Sequence, residues 1–341
     1  MTRALGAGAL CVIRSAPGLA PLLIKEMRFR NVIPKRSAPQ VLYQRNADMV
    51  IVNLLSSVDD IRQLRLAMDA HVCPVFGRYK ISRNQLDKMA EAIAKAGPRR
   101  LVASVAGSHF DRREITRWLW KQLLARRQHL GSPHLKEVVW LFCVDEAYYF
   151  CIPFFEWGEA PGRAHRRWER EGSLPPTIAA AMAFTGMPGE QDVVLDPVCG
   201  SGTLIAETAA LAPRARFIGS DIDKKSIEIA RANLRHIDRL QLLSSDSRFL
   251  PLPDHSVTLV LGNLPFGKQF SERSENFELY QGLLEEIRRL GAPGGCRGVF
   301  LTSDSDSFIR AVRVVSGLCM EAFFKVTVRG ERARTWIVRP T

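Results

Sequence analysis

No stretch of this 341-residue chain stays apolar for the roughly 20 residues that a membrane-spanning helix needs, so no helical span is expected. Its seven cysteines (Cys11, Cys73, Cys143, Cys151, Cys199, Cys296 and Cys319) form no Cys-x-x-Cys pair and no cluster with histidine. That pattern speaks against a zinc site and a disulfide framework, leaving reduced thiols in a cytoplasmic protein and no bound metal as the expectation. A signal peptide is not expected either, because Arg3, Arg14, Pro17 and Pro21 interrupt the first 24 residues; their lack of acids leaves an organelle signal as the alternative. The seven histidines are scattered, and none is placed for catalysis. The glycine-rich turn Gly200-Ser-Gly202 carries no lysine of the phosphate-loop kind, and Ile205 stands where a dinucleotide fingerprint needs a third glycine. Both phosphate-binding readings fall away.

Acidic residues are in deficit: 35 Asp/Glu face 48 Lys/Arg, a formal net charge of +13. The deficit is uneven. Residues 1–190 carry 28 basic against 17 acidic side chains, net +11, whereas residues 191–341 carry 20 against 18, net +2. A genome-wide arginine bias would raise both halves, so the asymmetry points to an N-terminal module facing a polyanion, nucleic acid first. A hydrophobic content of 46% with 24% charged residues fits an ordinary globular protein, and the length allows two domains with full cores.

What is present lies mostly in the second half. Short apolar runs at 192–195, 216–220, 240–243, 257–261 and 298–301 read as strands. Between them, 203–211, 224–235 and 280–290 read as helices, the first stopped by Pro213 and the last by Gly291-Ala-Pro-Gly-Gly295. Alternation at this spacing predicts an α/β fold with a mostly parallel, doubly wound sheet, whose ligands sit beyond the carboxyl ends of the strands. Two motifs fall at such ends: Asp196-Pro-Val-Cys-Gly-Ser-Gly-Thr203 and Asn263-Leu-Pro-Phe-Gly267.

In the first motif, Gly200 and Gly202 let the backbone turn tightly and approach a ligand closely. Asp196 speaks against a pyrophosphate there and suits a ligand with a positive amino group. Asp221 ends the next strand about 20 residues on, where a carboxylate takes ribose hydroxyls. Asp246, after the third strand, is a candidate acceptor for an adenine amino group. The plainer readings are a tight strand-to-helix turn for the glycines and an ordinary turn for Asn263-Leu-Pro-Phe-Gly267. Cys199 reads as a small packing residue rather than a nucleophile, and Arg288-Arg289 as a solvated helix face.

Together, Asp-Pro-x-Cys-Gly-Ser-Gly-Thr, Asp221, Asp246 and Asn-Leu-Pro-Phe-Gly resemble class I S-adenosylmethionine-dependent methyltransferases. Within that superfamily the chain resembles the RNA guanine-N2 methyltransferases that carry an N-terminal THUMP domain, over about residues 163–341. The resemblance implies a Rossmann-like catalytic domain at 183–341. A linker and cofactor-site entry helix at 161–182 would precede it, with a basic α+β module, ferredoxin-like plus THUMP-like, at 1–160. It implies S-adenosylmethionine as cofactor, with S-adenosylhomocysteine as product, among Asp196, Cys199, Gly200, Ser201, Gly202, Thr203, Glu207, Asp221, Ile222, Asp246 and Ser247. The catalytic loop would be Asn263, Leu264, Pro265 and Phe266. There the Asn263 oxygen and the Leu264 carbonyl accept both hydrogens of an exocyclic amine, Pro265 stiffens the backbone and Phe266 stacks on the base. The commoner family spelling has proline at position 264; the carbonyl acceptor survives that change. The implied reaction is methylation of a guanosine N2 amine in RNA, with tRNA as first candidate and a small protein activator compatible with it. The alternatives are an exocyclic-amine methyltransferase acting on DNA or rRNA, or a catalytically silent RNA-binding scaffold.

In the N-terminal half, 99–105 reads as a strand, 111–124 as an amphipathic basic helix, and 138–144 with 148–152 as a hairpin. That order fits a THUMP-like fold gripping RNA. Arg112, Arg113, Arg117 and Lys121 on the helix are candidate phosphate contacts or merely a wet face. Arg166, Arg167 and Lys268 are further candidates to touch RNA.

Overall fold

The structure, a computed structural model, describes residues 9–43, 47–55, 58–78, 100–106, 117, 121, 138–144, 147–155, 172–265, 273–293, 295–328 and 330–341. The chain divides into two units, Met1–Pro161 and Gly162–Thr341. Among the described residues no helix is long and apolar enough to cross a membrane, and no cluster of His, Cys, Asp and Glu could hold a metal ion.

The first unit holds β1 (Leu10–Ser15), α1 (Ala20–Phe29), β2 (Gln40–Leu42), β3 (Asp48–Asn53) and β4 (Ala67–Arg78). It continues with β5 (Arg100–Ala106), β6 (Val138–Val144) and β7 (Ala147–Phe155). The seven strands form one sheet in the order β2-β3-β1-β4-β7-β6-β5. The predicted strand and hairpin are β5 and β6–β7. β5 pairs with β6 in parallel, so the chain must cross over between them. Of the predicted basic helix only Arg117 and Lys121 are described, both helical and exposed. Arg112, Arg113, Arg166, Arg167 and Lys268 lie outside the described residues.

Buried acids anchor α1. Asp48 at the start of β3 accepts from the backbone N–H groups of Gly18 (2.8 Å) and Ala20 (3.3 Å), satisfying donors at the helix start. Glu26, fully buried, accepts from the N–H groups of Arg65 and Leu66 and from Arg30 Nε. Cys151 in β7 is disulfide-bonded, which corrects the expectation of reduced thiols throughout. Which cysteines come close enough to bond depends on the fold, which their spacing does not reveal. Cys11, Cys199, Cys296 and Cys319 are free.

The second unit opens with α2 (Pro176–Gly186), buried along nearly its whole length, as its run of alanines allows. Then come β8 (Val193–Asp196), α3 (Thr203–Ala209), β9 (Arg216–Asp221), α4 (Lys224–Asn233), β10 (Leu240–Ser244) and β11 (Leu259–Asn263). α5 (Arg273–Leu290), β12 (Arg297–Thr302), α6 (Ser305–Val314), β13 (Leu318–Val328) and β14 (Glu331–Pro340) complete it. The sheet order is β10-β9-β8-β11-β12-β14-β13. β8 to β12 run parallel, and β13 and β14 form a reversed hairpin on the edge. Val260 packs among residues of α5 and α6, while Leu259 and Leu261 meet Gly186 of α2 on the other face. Strand order reverses between β8's two neighbours, β9 and β11, and that switch point is where such sheets bind ligands.

Most bounds shift by one or two residues from the sequence reading, and two of the shifts are instructive. β11 runs two residues further, to Asn263, because pairing continues to Asn263 opposite Leu301. α5 starts seven residues earlier than expected, at Arg273.

Candidate functional site

A cavity of about 710 Å³ lies at the carboxyl ends of β8 to β11, a volume that suits a cofactor-sized ligand. Its wall includes Asp196, Cys199, Gly200, Ser201, Thr203, Asp221, Ile222, Asp246 and Ser247, with Asn263, Leu264 and Pro265 on the same surface. The two sequence motifs thus share one space. Gly202 and Glu207 do not line it: Gly202 caps α3, and Glu207 is buried within that helix. Phe266 lies outside the described residues.

The two glycines do different work. Gly202 sits at φ +85°, and a β-carbon there would come within 2.6 Å of Leu234, so its reason is conformation and packing inside the protein. Gly200, at φ +52°, has open space where a β-carbon would go and lines the cavity. The loop is pinned from several sides. Asp221 Oδ2 accepts from Gly200 N–H and Oδ1 from Asp223 N–H, each at 2.9 Å. Cys199 N–H donates to the Ser220 carbonyl, and buried Asn233 donates its amide to the Ser201 carbonyl. Ser173, ahead of α2, lies 3.1 Å from Ser201 through their hydroxyls. Asn233 escaped the sequence reading, since nothing in its spacing marks it; only the fold brings α4 to the loop.

Asp196 is buried, with a backbone bond from Val198 N–H at 3.2 Å. Burial, and then the negative charge of Asp221, push its carboxyl well above the usual carboxylate range. A cationic group in the cavity would reverse that penalty. The Cys199 thiol is driven up as well, by burial and by both aspartates, so it stays protonated and packs rather than attacks. Asp246 is engaged: the Arg248 guanidinium binds both its oxygens at 2.6 to 3.2 Å, and that pairing holds its carboxyl below the usual range. An adenine amino group would share this carboxylate with Arg248, which sequence reading missed although the two stand only two positions apart.

On the far side, Asn263 ends β11 and Leu264 N–H donates to the Leu301 carbonyl at 2.9 Å. Among the described residues the Asn263 side-chain oxygen is buried and has no hydrogen-bond partner. A buried acceptor without a donor is costly unless something supplies one. Asn263 lines the cavity, which makes a ligand N–H a candidate donor. Cationic demand at Asp196, the cradle at Gly200 and the orphaned acceptor at Asn263 fit an adenosine-type sulfonium cofactor with an amine beside it.

Arg289 corrects the reading of a solvated helix face. Its guanidinium binds Glu286, Asp254 and the carbonyls of Leu250 and Leu252, tying the segment after Asp246 to α5.

Comparison with known proteins agrees with this geometry. Residues 163–333, half of the chain, match the family described as UPF0020, RMKL-like, methyltransferase domain. The chain is 32% identical over 157 residues to the U6 snRNA (guanine-N(2))-methyltransferase THUMPD2 of Bos taurus, covering 45% of this chain and 30% of that protein. It is 33% identical over 137 residues to the tRNA (guanine(10)-N2)-dimethyltransferase of Methanothermobacter thermautotrophicus, covering 39% and 40%. The match therefore spans well under half the length of these curated relatives. The crystal structure of TrmN from Thermus thermophilus shares the fold, with a TM-score of 0.81, 22% identity and coverage of 98% of this chain and 100% of that one.

Proposed function

The chain belongs to the RMKL-like methyltransferase-domain family UPF0020, and on that footing we propose that it transfers a methyl group from S-adenosylmethionine to the exocyclic N2 amine of a guanosine in RNA, tRNA first. The observation that carries this reading is Asn263, on the wall of the cavity that also holds Asp196 and Asp221, whose buried side-chain oxygen has no hydrogen-bond partner among the described residues.

S-adenosylmethionine, when bound, supplies a methyl group activated by its sulfonium charge. Asp196 would hold the ammonium end of the cofactor, Asp221 the ribose hydroxyls, and Ser247 with Asp246 the adenine side. An exocyclic amine is a weak nucleophile because its lone pair is delocalised into the ring. Asn263 Oδ1 and the Leu264 carbonyl would accept its two hydrogens, drawing the nitrogen toward tetrahedral geometry and directing the lone pair outward. The nitrogen would exchange one hydrogen for the methyl group, its proton passing to water and S-adenosylhomocysteine remaining as the other product, so no side chain need act as a strong base. Phe266, next in sequence, is assigned the face on which the base stacks. The basic first unit, THUMP-like in this reading, would hold the RNA backbone in a cytoplasmic enzyme.

Purified protein incubated with S-adenosylmethionine and transcribed tRNA should yield N2-methylguanosine by nucleoside mass spectrometry. Asn263→Ala should lose about 10² to 10³ in kcat, with cofactor affinity kept within about twofold, the margin for a contact not made to the cofactor. Methyl groups on adenine, or cofactor binding with no transfer to any RNA, would overturn it in favour of another amine substrate or a silent scaffold.

A further inference from the structure

The Asn263 loop is braced from behind by a chain of buried hydroxyls, and the direction of every proton in that chain can be assigned. The Tyr280 oxygen lies 2.7 Å from the Pro265 carbonyl and 2.9 Å from Thr302 Oγ1. A carbonyl only accepts, so the one phenolic proton goes to Pro265. The Thr302 hydroxyl must then donate to Tyr280, while itself accepting from Asp304 N–H at 3.0 Å. Asp304 in turn accepts from the Asn276 side chain (3.0 Å) and caps α6 through Ser307 N–H (3.2 Å). Tyr280 and Thr302 are both fully buried, and the Tyr280 ring packs edge-on against Phe308. Burial pushes the phenol up to about 12, so it keeps its proton at any working pH.

We propose that Tyr280, oriented by Thr302, is a positioning residue for methyl transfer: it fixes the Pro265 carbonyl and thereby aims the Leu264 carbonyl at the substrate amine. Leu264 is held at its N–H by the Leu301 carbonyl. Proline fixes the next φ, and the Tyr280 bond removes the remaining freedom about Pro265. This inference rests on the amine-acceptor reading of the Asn263 loop.

The test compares Tyr280→Phe, Thr302→Val and Thr302→Ser in the full chain, below the melting temperature of each. With saturating cofactor and RNA, Tyr280→Phe should slow single-turnover methylation by about tenfold or more, as expected when a reacting group is slightly misplaced. Binding constants for cofactor and RNA should stay within about twofold of wild type. Thr302→Val should lose rate in the same sense, and Thr302→Ser, which restores the hydroxyl, should recover most of it. Hydrogen exchange at the Leu264 amide should quicken in Tyr280→Phe while exchange at Gly219, on β9, stays unchanged. Unchanged exchange at Leu264 would overturn the brace, and quickened exchange with a wild-type rate would overturn its role in positioning. Asn263→Ala separates the two ideas: if it methylates normally, the amine-acceptor reading is wrong; if it is dead while Tyr280→Phe is normal, only the positioning role of Tyr280 is wrong.

Discussion

Two buried carboxylates, one in each unit, differ in how fully the fold compensates them. Glu26 in α1 is fully buried and accepts from two backbone N–H groups and the Arg30 guanidinium. Asp196 at the end of β8 is as deeply buried, yet its bond from Val198 N–H is long and Asp221 stands nearby with the same charge. Burial raises the affinity of both for a proton. Glu26 has its compensation inside the protein. Asp196 lies on a cavity wall, and a cation arriving there would supply what the fold withholds.

The largest effect should come from breaking the satisfied site. Glu26→Ala leaves the Arg65 and Leu66 N–H groups unpaired in the core and strands Arg30. Loss of about 3–5 kcal/mol of stability is expected, the range for a broken buried ion pair. Denaturant unfolding should show it, while cofactor affinity measured on the folded fraction should not change. A variant as stable as wild type would refute the structural role of Glu26.

Asp196 should behave in the opposite way. Asp196→Asn removes a poorly compensated buried charge, so stability should hold or rise, whereas cofactor affinity should fall about 10- to 100-fold, the worth of a charge-assisted bond. The pH dependence follows from the sign of the shift. A carboxyl whose pKa is raised on folding adds stability that is present below the unfolded value of about 4 and is lost as pH climbs through the native one. Ligand-free protein should therefore lose melting temperature over that interval, less so in Asp196→Asn. Cofactor binding should release protons in the same interval and tighten as pH rises, which titration calorimetry in buffers of different ionisation heat would detect. Binding without proton release would refute the assignment of the ammonium to Asp196.

This contrast also separates what the sequence discloses from what it conceals. Asp196, Asp221 and Asn263 are legible because they stand at strand ends in an alternating α/β pattern, and strand ends are where such sheets bind ligands. The expected strands and helices of the second half all appear in the structure, but α6 and the β13–β14 hairpin were not anticipated. The supporting partners are not legible either. Tyr280 meets Pro265 from 15 residues away and Thr302 from 22. Asn233 reaches Ser201 across 32 residues, and Arg289 reaches Leu250 across 39. No local periodicity encodes such contacts; they exist only once helices are laid on the sheet. The end of β11 is hidden for a related reason, since pairing with β12 decides it rather than the composition of the strand.

The smallest expected effect concerns charges that remain in water. Arg117 and Lys121, one helical turn apart, are both exposed in the first unit, in the half of the chain that carries most of the net positive charge. Exposed cations add little to folding, so replacing both with alanine should leave stability within about 0.5 kcal/mol. If each touches an RNA phosphate, the double variant should flatten the slope of log affinity against log salt by about two units and weaken binding similarly across RNA sequences. A charge acting through phosphate should leave the rate at saturating RNA unaltered, in contrast with Asn263. An unchanged salt slope would make this helical turn a solvated face and move the search for the RNA contact elsewhere on the basic unit.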